Sequence, residues 1–316
     1  MVVQREMVST RETYGRTLLT MAEEYPDIVV LGGDLNVSVF THLWRDQYPD
    51  RFYDFGPSEQ NLVGVGAGLA ASGQIPFVST FAVFGVGRPF DQLRVLVAQS
   101  GLNLKLVCTH AGILTGEDGM SAHGIEDLAL ACSLAGFTVV CSADSVETAQ
   151  VVRIAAATDG PIYIRLSRAA TPVVHDEHYT YTPGKSEVIR QGDDVSIIAT
   201  GVMVSVALDA AELLAQSGIH ARVVNMHTLS PVDEETIQAA ARETGAVVTA
   251  EEHYIHGGLG SIVGQVIGKH HPVPMEMVAL HGYSESGKGE ELMVKCGLTS
   301  EGVRCAVDKA LNRKLG

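Results

Sequence analysis

The chain has 316 residues, of which 46% are hydrophobic and 19% charged, enough apolar material for two cores. Its 22 Lys and Arg face 37 Asp and Glu, and the formal charge of −15 argues against a nucleic-acid binder. No apolar run is long enough to span a bilayer, the amino-terminal MVVQREMVSTRE lacks a secretory apolar core, and the five cysteines form no CxxC pair; together these point to a cytoplasmic protein with reduced, mostly buried thiols.

Ser9-Thr10-Arg11-Glu12 opens an amphipathic helix that ends near Tyr25–Pro26, and Ile28–Leu31 reads as a fully apolar strand broken by Gly32-Gly33-Asp34. A strand ending in glycines and an acid places Asp34 through Ser38 at a carboxyl edge, where α/β folds bind ligands. Arg51–Phe55 is a short extended run that stops at the turn signal Gly56–Pro57. Ser58 then stands where a helix cap is expected, with Glu59 in the first turn at the positive end of the dipole. The apolar run from Leu62 continues that helix, with Gly64 and Gly68 on one side of it. Taken alone, Glu59 is an ordinary solvated first-turn acid.

Pro76–Thr80 is a second buried strand running into Phe81–Arg88, with a helix over 91–99 behind it. Leu104–Thr109 is the next strand and ends in His110. The glycine-rich loop Ala111–His123 leads to a helix over Ile125–Leu134. Strand Thr138–Cys141, helix Ser145–Ala157 and strand Pro161–Leu166 follow, closing on Ser167–Arg168. This alternation predicts an α/β domain over 1–170, a mainly parallel sheet flanked by helices. Residues 171–185 lack an apolar period and read as a linker. A second, smaller α/β domain spans 186–316, with strands Val195–Thr200, Ala221–Asn225, Ala246–Ala250 and Met275–Val278 and helices Ser205–Gln216, Val232–Arg242 and Thr299–Leu311.

Three motifs fall short. Gly282-Tyr-Ser-Glu-Ser-Gly287-Lys288-Gly289 has Gly289 where a phosphate-binding loop needs Ser or Thr, and it reads as a surface loop without an obvious strand before it and a helix directly behind. Gly64-x-Gly66-x-Gly68 brings its third glycine one residue early for a dinucleotide fingerprint, so helix packing accounts for it better. His253 and His256 beside Glu251 and Glu252 lack the HExxH spacing of a zinc site.

A dispersed constellation is stronger. His110 follows a strand, Asp118 lies between glycines, His123 precedes a helix, Arg168 follows a strand, and Arg11 and Ser38 lie at the front of the domain. Histidines exchange protons near neutral pH, and arginines offer forked donors to a phosphate. Singly, each histidine is ordinarily structural and each arginine a surface charge. Their shared placement at strand ends and helix starts makes them one candidate site.

These residues resemble a known family. The segments TRE (Thr10–Glu12), GGDLNVS (Gly32–Ser38), FGPSEQN (Phe55–Asn61), STFAVF (Ser79–Phe84), TH (Thr109–His110), GEDGMSAH (Gly116–His123), LSR (Leu166–Arg168), EEHYIHGGLGS (Glu251–Ser261) and the SGKGEELMVKCGLT loop are similar to the pyrimidine-binding and C-terminal domains of a transketolase. The resemblance covers nearly the whole chain. It implies thiamine diphosphate as cofactor, with Glu59 as the catalytic carboxyl hydrogen-bonded to N1′ of the aminopyrimidine. A carboxyl in mostly apolar surroundings can share that proton, whereas a solvated one would not. It further implies Phe81 and Phe84 against the pyrimidine ring, Asp34 near the cofactor, His110 and His123 beside the two-carbon unit, and Asp118 on a substrate hydroxyl. Arg11, Ser38 and Arg168 would hold the sugar phosphate.

The family's GDG…N motif, which binds Mg²⁺ and the diphosphate, is absent from the sequence. The resemblance therefore implies one subunit of a split enzyme, joined in a heterotetramer to an N-terminal subunit that supplies most of the Mg²⁺ site, with no metal ligand from this chain. The glycine-rich helix from Leu62 suits that interface. Three departures fall at the pocket wall. Gly87 stands where the family often has Tyr, Gly124 where many members have Gln, and Ser121-Ala122 replaces Pro-Thr; these changes open or reshape the wall. Rival readings are the beta subunit of a 2-oxo acid dehydrogenase, a deoxyxylulose-phosphate-synthase-like enzyme and a noncatalytic regulatory subunit. The GEDG…H loop with paired His110 and His123 favours sugar substrates.

Overall fold

The computed structural model describes residues 5–315, which form two mainly parallel sheets flanked by helices and a small two-stranded antiparallel sheet. In chain order the strands are β1 (Met7–Ser9), β2 (Ile28–Gly32), β3 (Phe52–Asp54), β4 (Ile75–Phe81), β5 (Lys105–Thr109), β6 (Thr138–Cys141) and β7 (Ile162–Arg165). They continue as β8 (Ala170–Pro172), β9 (Glu187–Arg190), β10 (Val195–Ala199), β11 (Ala221–Asn225), β12 (Thr228–Ser230), β13 (Val247–Tyr254) and β14 (Met275–Leu280). The first sheet runs β12-β6-β7-β5-β4-β2-β3 and is parallel except for β12. The second runs β14-β13-β10-β11-β9, parallel except for β9.

The near-continuous apolar runs follow from burial on both faces. Val29 and Leu31 of β2 join one cluster with the helix Glu59–Ala71, while Ile28 and Val30 join another with the helices Thr10–Met21 and Ser145–Ala157. Each such side chain contributes about 1.5–3 kcal/mol by leaving water. The first of these clusters continues into Ile198, Val224 and Val263, so the two sheets share a core.

The segment read as a linker is held down. Strand β8 pairs with β1, and Tyr181 is buried against the first sheet's helices. Strand β12, from the second unit, adds to the edge of the first sheet beside β6. Helix Leu259–His270 and the short helix Gly289–Lys295 are further elements that periodicity did not mark. The helix expected over 91–99 starts at Phe90 and winds as a π-helix over Leu93–Ala98. Of the cysteines, Cys108 and Cys141 are buried, Cys132 and Cys296 half-buried and Cys305 exposed. No helix among the described residues is long and apolar enough to cross a membrane.

Candidate active site

Strands β2, β3, β4, β5 and β7 are parallel neighbours, so their carboxyl ends open on one edge of the sheet. That edge receives Gly33-Asp34, the Gly56-Pro57 turn, Phe81, His110 and Arg168. Gly56 turns the chain with φ 64°, and the helix begins at Glu59 itself. Ser58 is its N-cap residue but makes no side-chain cap bond, contrary to the expectation from sequence; its backbone (φ −136°, ψ 61°) is not that of a usual cap. Glu59 is only 4% exposed, although it borders an open groove of about 620 Å³ between Pro57, Ser58, Gln60 and Arg88. Arg88, half exposed, donates from Nη1 to Glu59 Oε1 at 2.7 Å.

Arg88 also ends a stack. The His110 and Phe81 rings lie 3.6 Å apart between centroids at 16°, Phe81 and Phe84 lie 5.9 Å apart at 15°, and the Arg88 guanidinium sits 4.0 Å over Phe84. The stack thus links His110 to Glu59 through two phenylalanines and an arginine. His110 takes the uncommon φ of 58°, and its Nδ1 is 2.7 Å from Thr109 Oγ1. Burial, then the guanidiniums of Arg11 and Arg168, drive its pKa down to about 3, so the ring is neutral at physiological pH.

Arg11 gathers the rest of the predicted group, by backbone contacts. Its Nε donates to the Arg168 carbonyl at 3.0 Å and its Nη1 to the Ser38 carbonyl at 2.6 Å. Burial and the neighbouring Arg168 lower the pKa of Arg11. His123 is buried; Nε2 donates to the Gly116 carbonyl at 3.0 Å, and Nδ1 has no partner among the described residues. Asp118 is exposed at the end of the turn Ile113–Asp118. Asp34 is exposed with φ 61°, its N–H donating to Asp54 Oδ1 at 3.0 Å.

Two expectations about glycines change. A Cβ on Gly66 would meet Val78 at 2.9 Å and Leu104 at 3.0 Å, so Gly66 packs inward while Gly64 and Gly68 face open space. At Gly124 a Cβ would lie 2.9 Å from the Ala82 Cβ and 3.0 Å from the Val83 nitrogen. Gly124 therefore lets the loop close on the helix Ala82–Gly87 and does not open the wall, whereas Gly87 meets nothing within 4 Å. Strand β14 and the helix Gly289–Lys295 do flank the Gly282–Gly289 loop, but it cradles protein: the Gly287 carbonyl would lie 3.2 Å from a Cβ on Gly116. Sequence reasoning passed over Arg88. Its signal was the i, i+4 spacing from Phe84, which puts both on one helix face.

Two family models match this arrangement: transketolase, pyrimidine binding domain, over residues 6–173, and transketolase, C-terminal domain, over residues 184–303. The chain belongs to the transketolase family. Among the transketolases it is 40% identical to the 6-deoxy-6-sulfo-D-fructose transketolase subunit of Clostridium sp. (strain MSTE9), with 96% of this chain and 95% of that one covered. It is 34% identical to the Homo sapiens transketolase over 96% of this chain but 49% of that one. A solved split gene transketolase, described as an inactive beta4 tetramer, superposes with a TM-score of 0.91 at 44% identity, covering 97% and 99% of the two chains.

Proposed function

We propose that this chain is the C-terminal subunit of a thiamine-diphosphate-dependent transketolase. It transfers a two-carbon ketol unit from a ketose or its phosphate to an aldose or its phosphate. The observation that carries the reading is Glu59, a nearly buried carboxylate opening on a surface groove beside the Phe81–Phe84 stack. The residues fit the cofactor's pyrimidine end. A flat cationic donor, the Arg88 guanidinium, already lies between an aromatic face and that carboxylate, the two contacts an aminopyrimidine would make. When bound, thiamine diphosphate supplies a carbon nucleophile and an electron sink.

In this reading Glu59 holds a proton at the ring nitrogen, and Phe81 and Phe84 set the ring plane. His110, kept neutral, donates to or accepts from a sugar hydroxyl, and the unpartnered Nδ1 of His123 faces the same task. Asp118 reads a further hydroxyl, Asp34 lies by the cofactor, and Arg168 binds the phosphate with Ser38 beside it while Arg11 positions both backbones. The diphosphate and Mg²⁺ fall to a partner chain with the GDG…N motif, in a heterotetramer. The open Gly64 and Gly68 on the helix that starts at Glu59 support a second chain approaching there.

The test is reconstitution. The chain is mixed with such a partner, thiamine diphosphate and Mg²⁺, and ketol transfer between sugar phosphates is assayed alongside 6-deoxy-6-sulfo-D-fructose as donor. Transfer only when both chains are present supports the reading. Turnover of pyruvate with lipoamide instead, or a tight complex inert toward every donor, would overturn it.

A further inference from the structure

The GEDG loop is held from beneath by the second unit. Glu252, near the end of β13, is 3% exposed, and its Oε1 accepts the Leu114 N–H at 2.6 Å. A Cβ on Gly112 (φ 74°) would lie 2.2–2.5 Å from the Glu252 carboxyl atoms, so only glycine lets the loop seat this closely. The two residues after Leu114 hold the histidines. Thr115 Oγ1 donates to the His110 carbonyl at 2.7 Å, and the Gly116 carbonyl accepts from His123 Nε2. Arg165 ties the same strand in, donating to the Glu252 carbonyl at 2.9 Å and to Asp127. Burial pushes the Glu252 carboxyl up to about 7, against the Arg165 charge and the Leu114 N–H. An apolar side chain would fill this place without that cost.

We propose that Glu252 is a positioning residue for ketol transfer: by anchoring the backbone at Leu114 it fixes the Thr115 and Gly116 contacts that orient His110 and His123. The C-terminal domain thereby acts on the chemistry through a carboxyl group that never reaches the substrate. This rests on the transketolase reading of the two histidines, but the anchoring itself does not.

The experiment compares wild type with Glu252→Ala, Glu252→Met and Glu252→Gln, as the full chain and reassembled with its partner and cofactor. Met fills the volume without an acceptor and carries the test if the Ala variant does not fold; Gln keeps the acceptor for Leu114. Imidazole ¹⁵N signals, assigned with His110→Asn and His123→Asn, are read in the full chain, and kcat in the assembly. The expected result is displaced His110 and His123 signals and a kcat lowered at least tenfold in Ala or Met, since small misplacements of reacting groups are costly, with both restored in Gln. Signals at wild-type positions with kcat within twofold in Ala or Met, whatever happens to Tm, would overturn the proposal. So would a Gln variant as impaired as Ala. If the wild-type assembly transfers no ketol group, the functional reading fails, and the imidazole signals still decide the anchoring.

Discussion

Glu59 and Arg168 are single side chains with separable consequences. Glu59→Gln keeps size and one hydrogen-bonding oxygen but removes the ionisable group. We expect turnover of the assembled enzyme to fall by about 10²-fold or more, with partner binding unchanged by size-exclusion chromatography. Near-native turnover would remove Glu59 from the chemistry. Arg168→Ala should raise KM about tenfold or more for phosphorylated sugars and leave unphosphorylated ones little changed, because a charge-assisted fork to phosphate is lost. Equal effects on both classes would exclude the phosphate role. The helix start at Glu59 was legible from the Gly56-Pro57 turn and Ser58, but its local pattern gave only a solvated first-turn acid; the resemblance alone singled it out, and its burial comes from the fold. Arg88 was not legible, because its bond to Glu59 spans 29 positions and only the fold brings the two together. The role of Arg11 was legible as charge but not as geometry, since it binds carbonyls that a sequence does not display.

Among the elements, the strands that end in the site were readable from their apolar runs, and β6 and β11 begin and end where expected. The helix Leu259–His270 was hidden by Gly260, Gly264 and Gly268, each of which lowers helix propensity. Gly260 is instead tucked against Met277, where a Cβ would lie 2.9 Å from the sulfur, so packing has overridden propensity. The same close approach governs the loop at Gly124. Gly124→Ala should push its Cβ into Ala82 and Val83, and retreat is hindered because the Gly124 carbonyl accepts from both Gly112 and Arg165. Overpacking of this kind should cost about 2 kcal/mol, read as a lower urea midpoint. Gly87→Ala, with open space around it, should stay within about 0.5 kcal/mol of wild type. Equal destabilisation by the two changes would refute the close-packing account of Gly124.

At the scale of the whole molecule, the segment 171–185 joins the sheets through a buried polar cluster that the sequence showed only as scattered His, Tyr, Asp and Glu. The His175 Nδ1 lies 3.0 Å from Asp144 Oδ2 of the first unit, and its Nε2 lies 3.1 Å from Glu187 Oε2 of the second. Asp144 also accepts the N–H groups of Val174 and His175, and Glu147 accepts from Asn225 and the Tyr179 hydroxyl. Burial opposes a charge on His175, but the hydrogen bond with Asp144 and the nearby carboxylates of Glu187 and Glu147 outweigh it and raise the pKa to about 10. The ordinary value of about 6.5 applies in the unfolded chain, so the folded state binds the proton more tightly. That stabilisation is fully present below about pH 6.5, declines as pH rises, and is nearly gone by about pH 10. His175→Asn removes the charged partner of Asp144, which keeps its backbone N–H donors, and should cost about 2 kcal/mol at pH near 6. The gap in unfolding midpoint between variant and wild type should then narrow steadily toward pH 10. A gap that stays constant across that range would mean that His175 holds the two units together without its proton.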